Sequence, residues 1–403
     1  MKIRILFFPF LLFLFSCDTS TDPKPDDLEV SPQEDIAWTS LANTPWPMNH
    51  GNPQSNGRSP FVGPKLGQIE NRIPYYGIES SLALGRDGEI LITTTYDPRQ
   101  FSTIKSSGEM IWEVGSTGTA STPLVADSAI YWGNANGLSA LNFDGTIKWK
   151  YKDDFEIWNI GINIDPDGNI YFINLDGVLK VISPDGKLLW ELEDSRFRGD
   201  AHGAPTFSPD GKTLYIQGMN VSVLAVDVKS REIKWTFGDE ELFSSAVVDY
   251  QGNIYFIPGG WNKENKTFYS LDENGNIRWT FDFDDDTVFD NTEPTIDYNG
   301  NIFFGGSSLY SLNHNGDLRW KQELDSLQII SPLISDAEGN VFIGASDLND
   351  ASNQRIISYD SDGVKNWELT VEGERQLGAS PAITSDGKLI YPTFRAWNIL
   401  VIN

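Results

Sequence analysis

Cysteine occurs once, at Cys17, so no intrachain disulfide can staple this chain. Histidine occurs three times, at His50, His202 and His314, too few for a histidine-rich metal site or an evident Ser-His-Asp set. Cations are also short: 30 Lys and Arg face 57 Asp and Glu, for a net charge of −27. A field of that sign repels nucleic acid and anionic headgroups, and it suits solubility, cations or basic partners. The apolar stretch from Ile5 to Phe15 is too short to span a bilayer.

That stretch follows Lys2 and Arg4 and reads as the core of a signal peptide. Leu14-Phe15-Ser16-Cys17 resembles a bacterial lipobox, whose cysteine is lipidated and becomes the first residue of the mature protein. Phe15 departs from the small residue usual there, and an ordinary cleaved signal with an incidental Cys17 is the alternative. Asp18 to Gln33, rich in Asp, Pro, Ser and Thr, reads as a flexible stalk. The expected organisation is a signal peptide over 1–16, a tether over 17–35 and one domain over 36–403. The expected location is the bacterial cell envelope, the outer membrane ahead of the inner, with membrane contact through the lipid alone.

What the chain has in abundance is a repeat. Pro294 to Trp320 reads P-T-I-D-Y-N-G-N-I-F-F-G-G-S-S-L-Y-S-L-N-H-N-G-D-L-R-W. Asn299-Gly300 and Asn315-Gly316 stand between apolar runs, and such pairs accept the positive φ angles of two-residue hairpin turns. Two hairpins therefore follow one another. Trp112, Trp149, Trp190, Trp235, Trp279, Trp320 and Trp367 recur at one place in the pattern, by subtraction 37, 41, 45, 44, 41 and 47 residues apart. A period of roughly 40 to 45 residues with four strands per unit is the pattern of a β-propeller.

The inner hairpin appears eight times, beginning near Ser80, Ser121, Gly161, Ala204, Ser245, Glu293, Ser331 and Ser380. Seven Trp strands for eight hairpins leave one blade short of an outer strand. The last unit stops at Asn403, while Lys65 to Ile73 precedes the first hairpin at the right spacing, with Gln68 or Ile69 near the Trp place. The prediction is an all-β, eight-bladed propeller of four-stranded antiparallel blades, its ring closed by an N-terminal strand.

The repeated order of small-Pro-apolar, Asp/Asn-Gly, Ile-Tyr-Phe, Leu, Gly and Trp resembles the PQQ-like repeat propellers. So does the entry segment Trp46-Pro47-Met48-Asn49-His50-Gly51-Asn52, with Asn56-Gly57-Arg58-Ser59-Pro60 behind it. That family holds quinoprotein dehydrogenases, the BamB lipoprotein scaffold and many binding modules, so the resemblance implies fold more than activity. Its dehydrogenases are longer and set a vicinal disulfide against the quinone, which a single cysteine cannot form. The BamB-like members match in length, lipidation and blade number. They imply a monomeric, non-catalytic scaffold for a protein partner or an extended ligand. The competing class is an enzyme on the same fold, either a PQQ-dependent dehydrogenase or a polysaccharide-cleaving hydrolase or lyase. No catalytic residue can be assigned, no cofactor is expected, and PQQ is disfavoured.

The links from an outer strand to the next inner strand are the longest and most charged, and they gather on one face. Arg198 and His202, with Trp158 one blade earlier, stand before inner strands, and Arg375 lies in the link from Glu372 to Gln376. Trp261, Arg395 and Trp397 are further loop residues that offer charge or a stacking face for a ligand. Loop aromatics also serve as packed lids. Asp282, Asp284, Asp286, Asp290 and Glu293 fall at positions 1, 3, 5, 9 and 12 of a twelve-residue stretch, as in a calcium loop. Thr287 stands where such a loop has Gly, so Ca²⁺ and a solvated acidic loop are both open readings.

Overall fold

The computed structural model describes residues 31–78, 80–95, 100–115, 121–154, 161–197, 203–259, 266–284, 292–347, 350, 353–372, 377–393 and 398–403. Among them there is no helix, and the strands form eight sheets arranged as the blades of a propeller. Blade 1 consists of Ala83–Leu84, Ile90–Thr93, Gln100–Ile104 and Met110–Gly115, from the channel outward. Blades 2 to 6 repeat this order, opening on Leu124–Val125, Asn163–Ile164, Thr206–Phe207, Val247–Val248 and Thr295–Ile296. In blade 7, Val341–Asp347 pairs with both Ile334–Ser335 and an extra strand, Leu327–Ile329. Blade 8 takes three strands from the C-terminus, Ala382–Ile383, Leu389–Pro392 and Asn398–Ile402, and its fourth, Ile69–Pro74, from the other end of the chain.

Burial follows strand position. Second strands such as Ile170–Ile173 and Ile302–Gly305 are buried at every residue, because neighbouring blades cover both faces. Fourth strands such as Leu188–Glu193 alternate between exposed and half-buried residues, because only one face meets the next blade. In every blade the register between third and fourth strands slips once, a bulge that re-aims the following side chain.

The re-aimed side chain is the repeated tryptophan. Trp112 donates Nε1–H to Phe143 O at 2.9 Å and Trp279 to His314 O at 2.9 Å, each reaching the outer turn of the next blade. Trp149, Trp235, Trp320 and Trp367 make the same bond, to Pro184, Glu273, Ser361 and Pro64. Two residues beyond the accepting carbonyl, or three in the case of Pro64 and Gly67, comes a glycine on which the indole lies. A Cβ on Gly316 would stand 2.6 Å from Trp279, and one on Gly145 2.6 Å from Trp112. Gly316 also has φ +87°, so glycine is needed there both for the turn and for the close approach. Trp190 meets Arg231 instead, at φ +63°, with the guanidinium 5.8 Å from its ring centroid.

Ring closure occurs with a shifted register. Asn71, rather than Gln68 or Ile69, holds the tryptophan's place: Val401 opposes Asn71 as Val181 opposes Trp190, with the bulge just before each. Asn71 Nδ2 donates to Ser106 O at 3.0 Å, the same turn position that the tryptophans reach. Spacing counted from the hairpin misplaces it because the closing strand joins blade 8 from outside the repeat.

Gly316→Ala is expected to cost more than Gly88→Ala. Both glycines have positive φ, but a Cβ on Gly88 meets nothing within 4 Å. The turn alone costs about 1–2 kcal/mol, and displacing Trp279 adds about 1–3 kcal/mol. Denaturant midpoints of the two variants measure the difference, and equal losses would remove the docking argument.

Candidate functional site

The eight innermost strands line a central channel whose ends differ. At one end lie the two tight turns of each blade. At the other lie the links between blades and between second and third strands. Trp158, Arg198, His202, Trp261, Arg375, Arg395 and Trp397 belong by sequence to links of the second end, and all of them lie outside the described residues, as do Cys17, Asp286 and Asp290.

At the turn end, the backbone of the entry segment bonds to one blade after another. Trp46 O accepts from Leu84 N–H at 2.7 Å, Pro47 O from Val125 N–H at 2.7 Å, and Pro53 O from both Asn163 Nδ2 at 3.0 Å and Phe207 N–H at 2.9 Å. Gln54 O, Asn56 O and Gly57 O then accept from Val248, Ile296 and Ser335 at 2.9, 3.2 and 2.8 Å. Blades 1 to 7 are thus met in order. Arg58, buried, donates to Glu34 O at 3.0 Å and lies 4.3 Å over the Tyr298 ring, fixing the preceding chain as well. The contacts begin at Ser31, whose N–H donates to Asn299 O at 3.0 Å, and Gln33 N–H donates to Tyr298 O at 2.9 Å.

His50 sits fully buried in this segment. Its Nδ1 is 2.7 Å from Ser55 O and its Nε2 is 2.8 Å from Leu333 O. Carbonyl oxygens only accept, so both bonds form at once only with the imidazolium. A counter-charge is at hand: Glu293 Oε2 lies 3.3 Å from Nδ1, while Oε1 accepts Ser245 N–H at 2.8 Å. Sequence reasoning placed Glu293 in a calcium loop and gave His50 no role. The signal was available, since by strand register Glu293 occupies a repeat position that holds Ser81, Thr122, Gly161, Ala204, Ser245, Pro332 or Ser380 elsewhere. One large charged residue among small ones marks an interior partner.

Of the other described calcium-loop candidates, Asp284 Oδ1 accepts from Lys321 Nζ at 2.9 Å and Tyr310 Oη at 2.8 Å. The lysine, then the phenol, hold its carboxyl down at about 2. Asp282 Oδ1 accepts from Thr267 Oγ1 at 2.8 Å. Among the described residues no three His, Cys, Asp or Glu side chains cluster as metal ligands. The Asp-x-x-Gly-Asn turns are fully occupied internally. Asp165 takes the N–H groups of Asp167 and Asn169 on Oδ1, and the Asn169 amide and Tyr171 hydroxyl on Oδ2.

PQQ, implied by the fold family, is a tricarboxylate and needs cations around it. The channel end of the described inner strands offers the buried residues Ser80, Ser121, Ser245, Ser331 and Ser380 and the carboxylate of Glu293. Among the described residues there, the one basic side chain is His50, which already faces Glu293. This set does not fit a trianion, and no step through a quinone is derived from it.

The class defined by ring, repeat and entry segment is that of the eight-bladed PQQ-like propellers. The family model described as "Outer membrane protein assembly factor BamB" matches residues 37–236, 175–309 and 264–395, and the chain belongs to that family. Among curated proteins none matches it in sequence. Among solved structures, quinohemoprotein alcohol dehydrogenase from Comamonas testosteroni is similar with a TM-score of 0.66 at 13% identity, over 90% of this chain and 81% of that one. BamB from Moraxella catarrhalis gives 0.60 at 14% identity, over 83% and 97%. A europium-containing methanol dehydrogenase gives 0.57 at 14%, over 86% and 81%. At these identities the likeness is one of fold.

Glu293→Ser, which restores the small residue of the repeat, is expected to destabilise the protein by about 1–3 kcal/mol by leaving the Ser245 N–H and the His50 ring without the carboxylate they face. A double-mutant cycle with His50→Asn should return a coupling of about 1–3 kcal/mol. Additive losses in chemical unfolding would show that the pair does not interact.

Proposed function

We propose that this protein is a non-catalytic binding scaffold, lipid-anchored through Cys17 at the bacterial envelope, in the outer membrane ahead of the inner. It presents the loop end of its ring to a protein partner or an extended ligand. The observation that carries this reading is the asymmetry of the channel. The turn end is bound up by the backbone of Trp46 to Gly57, blade after blade, which leaves the opposite end as the variable surface. Membership of the BamB family supports it, since that family's description is of an assembly factor for outer membrane proteins. Ser31 is fixed at the turn end, so a tether from Cys17 arrives on the side away from the links. Removal of 1–16 belongs to the same proposal, while the tether expected over 17–35 is shortened at its far end, since Ser31, Gln33, Glu34 and Asp35 are already bonded to the ring or to Arg58. No described residue favours the dehydrogenase or the polysaccharide-cleaving alternative.

Cys17→Ser is expected to move the full chain from the membrane to the soluble fraction, and retention in the membrane would sink the anchoring. A photo-crosslinker at Tyr76, half exposed in the link from the closing strand to blade 1, should capture a partner in intact cells. The same probe at Asn274, in an outer turn, should not. Crosslinks from Asn274 alone would overturn the assignment of the loop end.

A further inference from the structure

Between blades 1 and 2, away from the central channel, lies a cavity of about 540 Å³. Val114 contributes from the outer strand of blade 1, and Trp132, Leu141, Ile147, Lys150 and Lys152 from blade 2. Two departures from the repeat meet here.

Trp132 is the first. It is 2% exposed, and its Nε1–H has no acceptor. By strand register its equivalents are Ile92, Phe172, Ile216, Phe256, Phe304, Ile343 and Tyr391. Six of these carry no donor, and Tyr391 donates its hydroxyl to Leu377 O at 3.1 Å. An orphaned buried donor costs stability, and packing at this position requires only a hydrocarbon, as the other blades show.

The second departure is the pair of lysines. Lys150 and Lys152 follow Trp149 by one and three positions, so they share the strand face opposite Trp149. Trp149 faces blade 3, where it bonds Pro184, and the lysines therefore face blade 1. Both are exposed, and neither makes an ion pair or hydrogen bond. At these positions the other blades hold Glu113 and Gly115, Glu191 and Glu193, Thr236 and Gly238, Thr280 and Asp282, Lys321 and Glu323, Glu368 and Thr370, or Arg72 and Pro74. No other blade sets two cations there, in a chain of net charge −27.

We propose that this cavity is a binding site for a small carboxylate with an apolar body. The carboxylate lies between the two ammonium groups, and the body rests on Val114, Leu141 and Ile147, with Trp132 supplying the wall and a donor to a ligand oxygen. Asn134 and Asn136, at the link between the second and third strands of blade 2, line it as well.

Isothermal titration of the full-length protein with 4-phenylbutyrate tests the site, with 4-phenylbutan-1-ol as the neutral control. One-to-one binding of the acid and not the alcohol is expected. Lys150→Gln with Lys152→Gln should weaken it about tenfold or more. Trp132→Phe should weaken it about fivefold while raising the unfolding midpoint of the ligand-free protein, because the orphaned donor is gone. A purely structural tryptophan would not give those opposite signs. Absence of binding at millimolar acid, equal affinity for the alcohol, or affinity unchanged in the lysine pair would overturn the proposal.

Discussion

An indole laid on a glycine joins six of the eight blades to the next, and the rest of the molecule depends on that contact. A single blade cannot bury both faces of its inner strands, so stability comes only when neighbours stack. The bulge before each fourth-strand tryptophan aims the ring across the gap. The glycine in the next blade's outer turn lets the ring reach backbone, and a carbonyl of that turn takes the indole N–H. Turn chemistry, strand register and inter-blade packing are thus one device repeated around the ring. At Trp190 the device changes, with Arg231 in the left-handed position and its guanidinium over the ring.

Much of this was legible in the sequence because it is local and periodic. The Asn-Gly and Asp-Gly turns, the apolar second strands and the tryptophan spacing each lie within one unit of the repeat. Even ring closure could be read, as a deficit of one outer strand. The residue that completes the closing blade could not, because Asn71 replaces a tryptophan and joins its sheet across the whole length of the chain. His50 and Glu293 escaped for the same reason: they touch only after five blades have been laid down between them. The calcium pattern from Asp282 to Glu293 had regular spacing, yet spacing in a loop does not say which way a carboxylate points. Glu293 points inward to His50, and Asp284 to Lys321. All seven candidate ligand-contact residues lie outside the described residues, so the legible part of the candidate site is its floor and inner wall.

The two ends of the ring also divide the chemistry. At the turn end, backbone carbonyls satisfy backbone donors, an arrangement that depends little on side-chain identity and fixes position. Side chains that differ from the repeat stand out elsewhere, at Glu293 on the channel and at Trp132, Lys150 and Lys152 between blades 1 and 2. Departures from a repeat that cost stability point to something other than stability.

The entry segment gives the molecule an order of events. It leaves the ribosome before any blade, yet its carbonyl acceptors bond to strands that appear only as blades 1 to 7 are made, and Ile69–Pro74 must wait for Asn398–Ile402. Until the C-terminus arrives, one strand edge and a row of carbonyls stay unsatisfied. Closure therefore carries a high contact order, because Ile69–Pro74 and Asn398–Ile402 pair across seven intervening blades. Such a ring is vulnerable to pairing with other chains while it is incomplete, and resists opening once it has closed.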